Sequence, residues 1–264
     1  MTDDVGFGRR LTWSMSDTAR MTWRNLMYYV RNPYWITLAV IQPIMFTLLF
    51  VFVFGGALKD KVPGGNYADY LLPGIMIQTV IFSSLGSGIN IAEDMQKGIM
   101  DRFRSLPTSR GTVLSARTLS DTVRNVVNVA LMTAVGYLVG YRFHGSALDA
   151  TAAVAIVVLI GFAFSWIAAT IGLLVNSPQT AEVAGFTWSF PVIFASSIFV
   201  TINDMPGWLK AFAEVNPITI GADAVRAYSL HTPPGNGPWQ TVLWCVVIIA
   251  VFRTLAVWRF RRLA

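Results

Sequence analysis

Apolar residues in this chain fall in long runs, each close to the length of a bilayer crossing, separated by short polar turns. Residues 35–54 form the first run, and twenty residues at about 1.5 Å rise each match a hydrocarbon core of about 30 Å. Further runs at 71–92, 125–141, 150–175, 183–201 and 239–258 bring the expected spans to six. The breaks carry ordinary stop signals: paired glycines within 55–69, Asn176-Ser-Pro-Gln between spans four and five, and Pro43 and Pro191 as bends inside spans one and five. Ahead of the first run, Met15, Ala19, Trp23, Leu26, Met27 and Val30 share one helical face, and Asp17, Arg20, Arg24 and Arg31 share another. A basic amphipathic helix over 13–32, ended by Asn32-Pro33, is expected to lie in the membrane surface, with Arg20, Arg24 and Arg31 open to a secondary contact.

Two intervals depart from this rhythm. Residues 93–124 are polar and hold six of the twenty Lys and Arg residues. Within them Ile99, Phe103 and Leu106 fall at i, i+4 and i+7, so a short amphipathic helix is expected to end at Pro107, with Asp101, Arg102 and Arg104 on its other sides. A turn over 105–111 leads into a helix where Arg110, Arg117, Asp121 and Arg124 align and Asp121 is spaced to pair with Arg117 and Arg124. Such an ordered pattern suits docking on another protein better than a loop of scattered charge does. The second interval, 201–238, carries two short helix starts, Asp204 with Pro206 and Asn216 with Pro217. Trp208, Leu209 and Phe212 make the first piece apolar, and Ile218, Val225 and Tyr228 the second. Neither can cross a bilayer, so the pair is either an interfacial hairpin or a re-entrant one.

Composition narrows the class. With 54% hydrophobic residues, 13% charged ones and a mean hydropathy of +0.54, the expected fold is all-α integral membrane. The net charge of +6 sits beside the apolar runs, where anionic headgroups attract it, so no nucleic-acid partner is expected. Arg9, Arg10, Arg20, Arg24, Arg31, the six basic residues of 93–124 and Arg259, Arg261 and Arg262 fall on one side. Lys59, Lys61, Arg142, Lys210 and Arg226 fall on the other, while Arg253 lies inside span six near the headgroups. This asymmetry places both termini in the cytoplasm. The first apolar run is too long for a cleaved leader and reads as a retained anchor. A single cysteine, Cys245, permits no internal disulfide.

Candidate chemistry is sparse. Thr79, Ser83, Ser87 and Asn90, with Gln78 beside them, make a small polar stripe on span two that suits close helix packing or a solute path equally well. Phe186, Phe190 and Phe194 form an aromatic stripe on span five, either packing or the wall of such a path. Glu93, Asp94, Asp149 and Glu182 all fall near span ends, which disfavours a stand-alone proton-coupled carrier. His144 and His231 have no ligand-spaced neighbour, which disfavours a metal site or a membrane enzyme. Lys59, Lys61, Lys97 and Lys210 are outside any phosphate-binding loop, so ATP and Mg²⁺ are expected on another polypeptide and no cofactor on this one.

The segment GIMDRFRSLPTSRGTVLSARTLSD resembles the signature loop of permease subunits of type-two ABC exporters, the daunorubicin-resistance-like drug export permeases above all. YVRNP before span one, LLPGI opening span two, NSPQTAE between spans four and five, and MPGWLKAFAEVNPIT after span five extend the resemblance over most of the chain. It implies a homodimer in the plasma membrane, bound to two copies of a separate ABC ATPase. Residues 13–32 would be an interfacial connecting helix. Gly98, Ile99, Asp101, Arg102, Phe103, Arg104, Ser105, Leu106 and Pro107 would form the cytoplasmic coupling helix on the ATPase. Residues 203–230, with Asp204, Trp208, Phe212, Asn216 and Pro217, would be extracellular re-entrant helices. The solute path would lie at the dimer axis between spans two and five, with Gln78, Thr79, Ser83, Ser87, Asn90, Phe186, Phe190 and Phe194 on the path or the interface. The implied cargo is a hydrophobic or amphiphilic drug or lipid, with polysaccharide or lipid-linked glycan export as the alternative.

Overall fold

Long apolar runs become helices in a bilayer because only intrasegment hydrogen bonds satisfy the backbone there. The computed structural model of this chain describes residues 33–98 and 110–262. Its helices are α1 (Pro33–Leu49), α2 (Tyr67–Gln96), α3 (Arg110–Val139), α4 (Ala147–Leu174), α5 (Pro178–Phe194), α6 (Gly207–Val215), α7 (Pro217–Ser229) and α8 (Gly237–Arg262). A π-helical turn, Phe50–Phe54, carries α1 on into Gly55–Leu58. Among the described residues, five stretches are long and apolar enough to cross a membrane: Ile41–Leu58, Tyr67–Gln96, Asp121–Val139, Ala147–Leu174 and Gly237–Phe260. The interfacial helix expected over 13–32, with Arg20, Arg24 and Arg31, lies outside the described residues, as does 99–109.

Residues 183–201 differ from expectation. The helix there starts earlier, at Pro178, and stops at Phe194 after 17 residues. Past Pro191 the Asn216 side chain takes the Val192 and Ala195 carbonyls and the Ser196 hydroxyl turns back onto the Ile193 carbonyl, so side-chain hydrogen bonds, chiefly from the α7 cap, displace the helical ladder. Asp204 also differs. It does not cap a helix but closes the 3₁₀ turn Ile202–Asp204, accepting from the Thr201 hydroxyl at 2.6 Å, while Pro206 holds the N-cap of α6. Asn216 caps α7 as expected, its side-chain oxygen accepting from the Ile218 amide at 2.9 Å, with Pro217 in the first turn.

α2 and α3 run antiparallel, tied from Asn66 and Gly140 at one end to Ser83 and Arg124 farther along. α4 runs parallel to α2 and touches it backbone to backbone: a Cβ on Gly88 would lie 2.4 Å from the Ala168 carbonyl oxygen, and one on Gly172 2.3 Å from that of Gly88. The Ser84 hydroxyl donates to the Gly161 carbonyl at 2.8 Å in the same seam. This is the small-residue packing that lets membrane helices approach closely. α8 lies along α4, where Thr170 reaches the Phe252 carbonyl, and turns its one cysteine, Cys245, into the packed interior. α7 packs on α2, α4 and α8 with Ile218, Ala222 and Val225 buried, whereas α6 leaves Trp208, Phe212 and Val215 exposed. The core is continuous along α2 from Leu71 to Ile81. The end of the bundle bearing α6 and α7 is called the cap end, and the end bearing Gly98 the stalk end.

Candidate coupling and gating sites

At 30 residues each, α2 and α3 are about 45 Å long, about 15 Å more than a hydrocarbon core. α2 ends at Gln96, and two residues on Gly98, with a φ of +65°, is the left-handed stop that favours glycine; its amide donates to the Met95 carbonyl. A polar layer joins the two helices partway along. Arg124 donates through Nε to the Ser83 hydroxyl at 2.9 Å and through Nη2 to the Ser83 carbonyl, and pairs with Asp121 at 2.8 Å. The Asn128 amide reaches the same Ser83 hydroxyl at 3.2 Å. Asp121 is only 1% exposed, so its charge is stabilised by Arg124 and not by water. Beside this layer Asn125 is fully buried, and neither atom of its amide group has a hydrogen-bond partner; the same holds for Nε2 of Gln78 and the Ser87 hydroxyl.

An aromatic ladder runs along α5 toward the cap end. Phe82 of α2 meets Phe186 at 5.6 Å and Phe190 at 5.4 Å between ring centroids. Phe190 stacks on Phe194 at 5.6 Å, Phe194 on Phe199 at 5.0 Å, and Phe199 on Phe50 at 4.5 Å. Phe190 and Phe194 keep one side exposed.

The chain beyond α5, residues 195–200, is unwound yet buried over 196–199. Its backbone groups are claimed by side chains of α2 and α7. Nδ2 of Asn216 donates to the Val192 carbonyl at 2.8 Å and to that of Ala195 at 3.1 Å. The Ser197 amide donates to the Thr219 hydroxyl at 3.0 Å, and the Tyr67 hydroxyl to the Phe199 carbonyl at 3.0 Å. The Ser197 carbonyl accepts from the Tyr70 hydroxyl and from Arg226 Nη2, each at 2.7 Å. Arg226 is 6% exposed, and all five of its N–H groups are used. The other four go to the Tyr70 carbonyl at 2.8 Å, Ser197 Oγ at 2.9 Å, Asp223 Oδ1 at 2.6 Å and the Ile198 carbonyl at 3.1 Å. The guanidinium also lies 3.7 Å from the centroid of the Tyr70 ring.

The model of the ABC-2 type transporter family matches residues 17–230, most of the chain. The chain belongs to the ABC-2 type transporter family. A daunorubicin resistance ABC transporter permease protein of Streptomyces coeruleorubidus is 32% identical over 250 residues, covering 94% of this chain and 87% of that protein. A doxorubicin resistance ABC transporter permease protein of Mycobacterium tuberculosis is 27% identical over 232 residues, covering 82% and 80%. This ABC-2 permease is thus a multi-pass membrane subunit of an exporter, of a family that works with a separate ABC ATPase.

Against that family background, the predicted site residues of the permease separate into groups. Thr79, Ser83 and Ser87 lie inside the protomer: the Thr79 hydroxyl returns to the Ile75 carbonyl at 2.7 Å, Ser83 faces Arg124, and Ser87 is buried. Asn90 is half-buried. Phe82, one position from Ser83, turns the other way onto Phe186 and Phe190, and with Leu85 against Gly185 it forms an apolar contact between α2 and α5. Gly98 stops α2, and Ile99, Asp101, Arg102, Phe103, Arg104, Ser105, Leu106 and Pro107 lie outside the described residues. Trp208 and Phe212 are exposed on α6, and Asn216 and Pro217 open α7. Sequence reasoning missed Arg226, which it counted as a loop charge. The available signal was an arginine in an apolar helix whose nearest acid, Asp223, stands one turn before it.

Proposed function

We propose that this permease forms the membrane pathway of an ATP-driven exporter that moves a hydrophobic or amphiphilic compound out of the cytoplasm. α5 with its unwound end makes the sixth span, and α6 and α7 form the extracellular re-entrant pair. Two copies of the chain enclose the path, and both termini face the cytoplasm of the plasma membrane. Two copies of an ABC ATPase hold ATP and Mg²⁺ and push on residues 98–107 as the coupling element. One observation carries this reading: α2 and α3 exceed a bilayer in length, are pinned by Arg124, and flank residues 98–109, so the pair makes a stiff stalk reaching toward a partner. The energy enters as a difference in stability between two states of the assembly. The names of the relatives favour an anthracycline-like drug as cargo, in keeping with the exposed aromatic edge of Phe190 and Phe194.

The test replaces Arg102, Arg104 and Leu106 together in the complex with the cognate ABC ATPase. Loss of assembly or of daunorubicin-stimulated ATP hydrolysis, with the melting temperature of the isolated permease unchanged, is the expected result. Normal assembly together with normal stimulation removes 98–107 from the coupling role.

A further inference from the structure

We propose that Arg226 is the positioning residue of the outer gate: it locks the unwound end of α5 and the helix α7 to the cap end of α2, so that the three move as one body through the transport cycle. The inference rests on the exporter reading above. A gate that hinged within 195–200 would need backbone groups able to exchange partners or meet water. Among the described residues, the carbonyls of Ala195, Ser197, Ile198 and Phe199 are all held by side chains, and those side chains come from α2, from α7 and from the α7 cap Asn216. Arg226 reaches both neighbours at once, taking the Tyr70 carbonyl on α2 and two successive carbonyls of the unwound stretch. Its five donors have five acceptors, so opening the joint would strand a buried cation and several buried carbonyls together. Close packing reinforces the lock, because a Cβ on Gly74 of α2 would lie 3.0 Å from Ile198 Cα. By contrast α6 supplies none of the side chains that hold these carbonyls and leaves Trp208 and Phe212 exposed, so it lies outside the locked body.

A Cβ on Gly74 would lie 3.1 Å from Ile198 Cβ, a few tenths of an ångström inside the roughly 3.5–4.5 Å that a disulfide spans, so the bridge closes with a small outward shift of the unwound stretch. The test uses Gly74→Cys/Ile198→Cys in the complex with the cognate ATPase, reconstituted in inside-out vesicles with daunorubicin as probe. The rate of oxidative cross-linking is expected to agree within about twofold among nucleotide-free, ATP-bound and vanadate-trapped states. Daunorubicin accumulation by the cross-linked complex is expected to stay within about twofold of its reduced form. A roughly tenfold change of rate with nucleotide, or transport blocked by oxidation and restored by reduction, overturns the single-body gate. Arg226→Gln is expected to lower accumulation by about tenfold or more while basal ATP hydrolysis and ATPase binding persist, and the cross-link in that background is expected to restore about half of it. Wild-type accumulation in Arg226→Gln, or no recovery on cross-linking, overturns the role of Arg226. If Arg226→Gln does not assemble, Arg226→Lys takes its place with the same expectations, since lysine keeps the charge and loses the planar fork. A wild-type complex that accumulates no daunorubicin counts against the exporter reading instead, and the cross-linking rates still decide whether the joint moves as one.

Discussion

Replacing Arg124 alone should harm the protein more than replacing Arg124 and Asp121 together. Arg124→Leu takes a guanidinium from the buried Asp121 carboxylate and two hydrogen bonds from Ser83, a change expected to cost about 3–5 kcal/mol, whereas the double change to leucine is expected to cost less because no carboxylate is then left buried. Thermal unfolding of the detergent-solubilised permease, run as a double-mutant cycle, reads both. Tyr141, next to the cap end of α3, makes a second prediction. Burial pushes its phenol up to about 12 even though the hydroxyl bonds to Ser229, so the folded state favours the neutral form. That stabilisation is complete below the ordinary tyrosine value of about 10 and is lost as pH rises toward 12. Alkaline melting curves should fall over that window in the wild type and fall less steeply in Tyr141→Phe. Single residues were readable from the sequence where their partners are local. Asn216 caps the next turn, and Asp121 pairs with Arg124 three positions on. Arg226 was not readable, because Tyr70 and Ser197 lie 156 and 29 positions away.

Helices in a membrane cannot rely on the hydrophobic effect to hold one another, so the quality of their seams decides which pairs persist. Gly86 and Gly88 sit two positions apart on α2 and give opposite expectations. A methyl on Gly86 would meet only the Arg124 guanidinium at 3.6 Å, so Gly86→Ala should be neutral or stabilising by up to about 1 kcal/mol. A methyl on Gly88 would collide with the Ala168 backbone, and Gly88→Ala should destabilise by about 1–3 kcal/mol. Melting temperatures of the two variants make the comparison. The elements themselves were readable as apolar runs, while α3 begins at Arg110, inside the turn expected over 105–111. The break in α5 was not. Pro191 pointed only to a bend, and the stop depends on acceptors and donors supplied by α2 and α7, which no local pattern contains.

At the scale of the whole molecule the gathering of basic residues on one side makes both termini cytoplasmic the proposed direction, a proposal independent of how the helices pack. Cys245 is buried, so introduced cysteines can be labelled against a low background. Asp60→Cys and Asn236→Cys, at exposed turns, should react with an impermeant maleimide in intact cells, and Gln179→Cys only after permeabilisation. The reverse pattern inverts the proposed orientation. Which helix becomes the axis of the bundle was hidden from the sequence, since α2 and α4 are both apolar and only their glycine contact reveals that they are braced together.

Tilting about that brace during the proposed transport cycle would give α2 the mechanics of a seesaw. Its bearing, between Ser84 and Gly88, leaves about 18 Å of rod toward Gly98 and about 28 Å toward Tyr67. A nudge at the short arm is therefore magnified roughly one and a half times at the long one, where Tyr70 grips Arg226. Shifting the bearing by one turn, with the crossing glycines moved along the rod, would alter that gain without touching either end.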